Sequence, residues 1–148
     1  MTKEMYFTIA LLSYENGVVC GDLHSPVLKK SIQFHNLTEL ILIMDQIMKD
    51  LNIPEYDERN HHVIIKNQSL DVQLDYQDLK RDNFEKHLNH SLMYPKKSKD
   101  IFTVKVMYRQ NNSWQGEMTW LRTNKTRFFR SALELVELIY SVIDKYHK

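Results

Sequence analysis

FHNLTELILIM, Phe34 to Met44, and FRSALELVELI, Phe129 to Ile139, are the two stretches on which the fold turns. They stand 95 residues apart, and each reads as the start of the same helix. In the first, Leu37, Leu40, Ile41, Met44, Ile47, Met48 and Leu51 follow the i, i+3, i+4, i+7 spacing of one buried helical stripe. The stripe recurs as Ala132, Leu135, Val136, Ile139, Val142, Ile143 and Tyr146. A cap precedes each one. Asn36 with Glu39, and Ser131 with Glu134, set a side-chain oxygen three residues ahead of a carboxylate that reaches back to the cap amide. Phe34 and Phe129 anchor the two helix starts, so the glutamates are assigned to capping and not to catalysis.

Upstream of each helix the apolar period changes to two. Phe102, Val104, Val106 and Tyr108 alternate with polar or flanking residues, as do Trp114, Gly116, Met118 and Trp120. Asn111 and Asn112 supply the turn between these strands, and Thr123 and Asn124 separate the second from a third, Lys125 to Phe129. The earlier copy runs Tyr6 to Tyr14, turns at Glu15 to Gly17, and continues as Val18 to Leu23 and Val27 to Phe34. At the 95-residue offset Phe7 meets Phe102, Thr8 meets Thr103, Gly21 meets Gly116, and Leu40 meets Leu135. Gly21 and Gly116 fall on the inward face, where a missing side chain lets a crossing helix come close.

Between the copies, His62 to Lys66 and Leu70 to Tyr76 read as a short hairpin, and Asp78 to Leu92 as a polar surface helix. The expected fold class is therefore α+β. Two βββα units, residues 5–51 and 101–148, are related by an internal repeat at offset 95, with a ββα insert over 52–100. An antiparallel sheet packs on helices, and 1–148 forms a single domain, as the length and a 43% hydrophobic content suggest.

Charge excludes some functions and localises others. Twenty basic against nineteen acidic residues leave +1, so no global field advertises nucleic acid or an anionic membrane. The balance is uneven along the chain: residues 101–148 hold eight basic and four acidic side chains. The single cysteine, Cys20, excludes an internal disulfide and fits a reducing compartment, so a cytoplasmic protein is expected. Met5 to Leu12 reads as a strand and not as a secretory signal, and no apolar run is long enough to span a membrane.

Catalytic signatures are missing. With Gly17, Gly21 and Gly116 as the only glycines, neither a dinucleotide-binding loop nor a phosphate loop can be written. No nucleophile elbow is present, and nothing near Cys20 in sequence would lower a thiol pKa. His87 and His90, with His61 or His62, are the best metal ligands on offer, but they match no zinc spacing. No catalytic residue, metal or cofactor is assigned, and the chain is read as non-enzymatic.

The candidate binding surface is the basic sheet of the second unit. If Phe102, Val104, Val106, Trp114, Met118 and Trp120 face the helix, the other side presents Lys105, Arg109, Leu121, Phe128 and Arg130, with Arg122, Lys125 and Arg127 at its edge. Such a surface suits an acidic protein, or a nucleic-acid backbone with a base stacked on the aromatic ring. A protein partner is the first expectation, nucleic acid the alternative, and a homodimer is compatible with both.

Asn112 to Ile139 carries a further pattern: Trp114, Gln115 and Gly116, a tryptophan four residues on at Trp120, then Phe129, Arg130 and Ser131, and Leu133, Glu134 and Leu135. This segment resembles small clostridial-type bacterial proteins of unassigned function. The likeness is confined to roughly the last 45 residues, one repeat unit, and implies a bacterial or mobile-element origin. Together these readings predict a small binding protein that regulates or inhibits a larger macromolecular partner, of the kind used in conflicts between phages or plasmids and their hosts.

Overall fold

The computed structural model describes residues 4–55, 72–77 and 100–146. Strands β1 (Met5–Glu15), β2 (Val18–His24) and β3 (Ile32–Phe34) lead into helix α1 (Leu37–Leu51). After the intervening segment, β4 (Asp100–Tyr108), β5 (Gln115–Trp120) and β6 (Lys125–Phe129) lead into α2 (Ala132–Tyr146). The six strands form one sheet in the order β3-β2-β1-β4-β5-β6, antiparallel throughout, and the fold is α+β.

Local chemistry explains the turns. Glu15 pairs with Val18, leaving Asn16 and Gly17 as a two-residue loop, with φ of 56° and 75°. Positive φ at both positions matches the twist of the flanking strands, and asparagine and glycine tolerate it best. Asn111 and Asn112 repeat this choice at φ 56° and 59°. Asn16 and Asn111 are themselves 95 residues apart.

Register ties the halves together. At the centre, Thr8 of β1 lies opposite Thr103 of β4, flanked by Phe7–Val104 and Ile9–Phe102. Leu11 pairs with Gly21, and Val106 with Gly116. One step further each strand bulges, between Leu11 and Ser13 and between Val106 and Tyr108. Gly21 then faces Phe34, and Gly116 faces Phe129. These pairings of the first half, Leu11 with Gly21 and Gly21 with Phe34, recur 95 residues along the chain as Val106 with Gly116 and Gly116 with Phe129.

The glycines answer to strands and rings, not to a crossing helix as expected. A Cβ on Gly21 would sit 2.1 Å from the carbonyl oxygen of Ala10 and 2.8 Å from the Phe34 ring. On Gly116 it would sit 2.0 Å from the Lys105 carbonyl oxygen and 3.0 Å from the Phe129 ring. Beside each bulge the neighbouring strand comes too close for any side chain, and the cross-strand phenylalanine covers the gap.

Helix α1 buries Leu37, Leu40, Ile43, Met44, Ile47 and Met48. Ile43 is thus added to the expected stripe, while Ile41 and Leu51 sit half-buried on its flanks. On α2 a narrower line, Leu135, Ile139 and Ile143, is buried. Both caps form: Asn36 Oδ1 accepts from the Glu39 amide at 2.7 Å, and Ser131 Oγ from the Glu134 amide at 3.1 Å. The carboxylates do not return to the cap amides as predicted. Glu39 takes the His35 ring at 3.0 Å, and Glu134 accepts from the Arg130 amide at 2.5 Å, one residue before the cap.

A shared apolar cluster joins the helix faces to Phe7, Ile9 and Leu11 of β1 and Phe102, Val104 and Val106 of β4. Burying each such side chain contributes about 1.5–3 kcal/mol. Thr8 and Ala10, on the other face of β1, are buried too, which is why this strand reads as an almost unbroken apolar run.

The third strand of the first half is shorter than expected. Only Ile32–Phe34 is regular, because residues 27–29 turn to meet the segment at 75–77. Lys29 N–H donates to Asp75 O at 2.9 Å and Gln77 N–H to Val27 O at 2.8 Å, around an isolated bridge between Leu28 and Tyr76. The expected strand over Leu70 to Tyr76 is therefore reduced, among the described residues, to this extended stretch. The strand at His62 to Lys66 and the helix at Asp78 to Leu92 lie outside the described residues. Among the described residues no helix is long and apolar enough to cross a membrane.

Candidate functional site

Strand β6 is one outer edge of the sheet, paired with β5 on one side, and no other described strand lies against it. Its first four residues are exposed. Because cross-strand partners share a face, Lys125 beside Trp120 and Arg127 beside Met118 belong to the helix-bearing side. Thr126 beside Thr119 and Phe128 beside Glu117 belong to the other. Phe128 is the most exposed large apolar side chain described, at 72%. Among the described residues, Lys125 and Arg127 meet no carboxylate within salt-bridge distance, and the guanidinium of Arg127 reaches the Thr126 carbonyl, at 3.2 Å. The local arrangement is two uncompensated cations on one side of an open strand and a bare aromatic ring on the other.

The remaining predicted residues scatter from this centre. Arg130 follows the strand, 89% exposed, with Glu134 at 3.8 Å. Arg122 spans from Asp100, at 3.5 Å, to the face of Trp120, at 5.6 Å from the ring centre. Leu121 is half-buried in the turn, its amide donating to Ile101 O at 3.1 Å. Lys105 does lie on the outer face, but between Glu4 at 3.9 Å and Glu117 at 3.8 Å, which offset its charge.

Arg109 is a correction: it is not part of the exposed basic face. The side chain is 6% exposed, and its guanidinium donates from Nε to Pro54 O at 2.7 Å and from Nη2 to Asn52 Oδ1 at 2.8 Å. Asn52 is the left-handed C-cap of α1, so Arg109 ties the end of that helix to the end of β4. Strand alternation placed it outward, but the bulge after Val106 shifts the phase by one residue.

Sequence reasoning missed a buried carboxylate. Asp100, 3% exposed, accepts from Tyr14 Oη at 2.6 Å and from Trp120 Nε1 at 2.9 Å. Burial and then this hydrogen bond push the Tyr14 hydroxyl well above its ordinary pKa. Tyr6 is likewise pushed up to about 12, by burial and by its bond to Glu4. An aspartate at the first position of an otherwise apolar strand is the signal that would have found the cluster. Its groups satisfy one another, so it reads as a staple joining β1, β4 and β5.

Two concavities lie on the described surface. One, of about 710 Å³, opens between Ser31–Gln33, the start of α1 and Val72; its His35 and Glu39 pair with each other. The other, of about 450 Å³, runs between α1 and α2 and is lined by Val18, Ile41, Leu42, Leu133, Val136 and Tyr140. Cys20 donates to the His35 carbonyl at 3.3 Å. His61, His62, His87 and His90 lie outside the described residues; among those described, no three His, Cys, Asp or Glu side chains converge to hold a metal.

Compared with known proteins, the chain matches no family model, no curated protein and no solved structure.

Proposed function

We propose that this chain is a non-enzymatic binding protein, built from two copies of a βββα unit, that regulates or inhibits a larger protein partner through the basic edge at β6. The observation that carries the reading is the open strand itself, where Lys125 and Arg127 have no acidic neighbour among the described residues and Phe128 stands exposed. Uncompensated cations beside an apolar anchor favour a partner with complementary charge and a pocket for the ring. The duplication is supported by the register: Thr8 faces Thr103, its own counterpart at offset 95, as a pseudo-twofold axis through the sheet centre requires. Divergence between the copies supports a division of labour, since Arg127 stands where the first copy has the buried Ile32.

A second reading has its own support. An exposed aromatic next to an arginine on an open strand is also how sheets stack a nucleotide base.

A pull-down from bacterial lysate, with and without nuclease, tests both with wild type and Arg127→Glu/Arg130→Glu. A nuclease-resistant protein lost in the variant is the expected result. Recovery of nucleic acid alone, with steep salt dependence, favours the second reading. If the variant retains every captured partner, the edge is not the binding surface.

A further inference from the structure

We infer that β6 takes an added strand: an extended segment of a partner protein, with acidic and apolar residues in alternation, pairs along its open edge as the seventh strand of the sheet. The inference rests on the reading of β6 as the binding edge and specifies how that edge binds.

Backbone comes first. In an antiparallel pair every second residue of an edge strand turns its N–H and C=O away from its neighbour, so β6 offers an incoming chain a row of groups that no described strand pairs. Side-chain alternation then sets the sequence the edge selects. Residues of the added strand on the helix side meet Lys125 and Arg127, and those on the other side meet Phe128. Cross-strand neighbours interact most strongly when opposite in charge or both apolar, so carboxylates suit the first row and aliphatic or aromatic groups the second.

The first half of the molecule already contains such an arrangement. Residues 72–77 run beside 27–32, with Leu28 opposite Tyr76 and Val72 near Ser31 and Ile32. Val72, Leu74 and Tyr76 pack on the core, while Gln73 and Asp75 are exposed. The corresponding track in the second half, 95 residues later, is 122–127. No described residue runs along it, and arginine there replaces isoleucine.

Charge also decides against a second copy of this chain pairing β6 to β6. Two such edges would bring Lys125, Arg127 and Arg130 of each molecule together, whereas Glu134 and Glu117 are engaged locally with Arg130 and Lys105. An acidic strand meets no such repulsion.

The test uses a blocked eight-residue peptide alternating glutamate and valine, a lysine–valine counterpart, and a glutamate–valine peptide N-methylated at alternate residues. Binding to the full chain is read by amide chemical-shift changes. The expected result is saturable binding of the first peptide with shifts centred on residues 122–130, and none with the other two. Lys125→Glu/Arg127→Glu weakens it about tenfold, the sum of two cross-strand charge pairs lost. Lys49→Ala, in the last turn of α1, leaves it unchanged. Equal binding of the N-methylated peptide shows attraction without strand pairing and overturns the inference, as does shift mapping to another surface or no binding at all. A lysate partner still lost in Arg127→Glu/Arg130→Glu would, in those cases, leave the binding edge standing and remove only the strand-addition mode.

Discussion

Removing the carboxylate of Asp100 should destabilise the protein more than any change to its exposed basic residues. The side chain is buried and receives hydrogen bonds from Tyr14 and Trp120. Bonds to a charged acceptor contribute about 1.5–3 kcal/mol each, and removing the acceptor strands both donors. Because the two donors share one partner the losses do not add fully, and the half-exposed Arg122 contact adds at most about 0.5 kcal/mol. Asp100→Ala is therefore expected to cost about 3–4 kcal/mol, and to lower Tm by about 10 °C in a domain of this size. Asp100→Asn keeps an acceptor oxygen but loses the charge, and should cost about 1–2 kcal/mol. Urea unfolding followed by tryptophan fluorescence measures both. A parallel ultraviolet titration reports on Tyr14, whose folded pKa lies above its ordinary 10.0. Since the folded state holds this proton more tightly than the unfolded chain, the associated stability is present below pH 10 and is lost as pH rises beyond it. In Asp100→Asn part of that rise should vanish, while the part due to burial, the largest single cause, persists. A loss under about 1 kcal/mol in Asp100→Ala, or an unaltered Tyr14 titration in Asp100→Asn, would refute the account of Asp100 as a charged staple.

Arg109→Met should lose about 2–3 kcal/mol by leaving Pro54 O and Asn52 Oδ1 without their donor, with faster amide exchange in the last turn of α1 and in its C-cap as the local signature. Gly116→Ala should cost about 2–3 kcal/mol, since its Cβ would meet the Lys105 backbone; thermal melts showing a neutral effect would contradict the close approach beside the bulge. Burial holds the His24 imidazole below its ordinary 6.5, against the pull of Asp22. The unfolded chain then takes up the proton first, so stability falls as pH drops below about 6.5, and urea midpoints of His24→Gln should fall less steeply over that range.

Helix starts were readable because caps are local: an asparagine or serine three residues ahead of a glutamate states where the backbone begins to wind. The basic binding edge was readable only in part. Lys125, Arg127 and Phe128 stayed exposed because β6 is an outermost strand, whereas Lys105 acquired two carboxylates from β5 and the chain preceding β1. Arg109 went astray for want of one residue of phase, because a bulge leaves no mark in an alternating pattern.

By itself, then, the sequence determined what depends on neighbours within one or two turns of chain: the strands around the turns at Glu15 to Gly17 and at Asn111 and Asn112, and two capped helix starts. Tertiary structure alone decided what depends on closing a long loop. β1 and β4 meet in a register that puts Thr8 on Thr103, Asp100 gathers Tyr14 and Trp120 from strands on either side, and Arg109 reaches back to α1. The physical reason is that hydrogen bonding along a strand edge and the filling of a buried site are indifferent to sequence distance, so only the assembled sheet selects among the many pairings the local patterns permit.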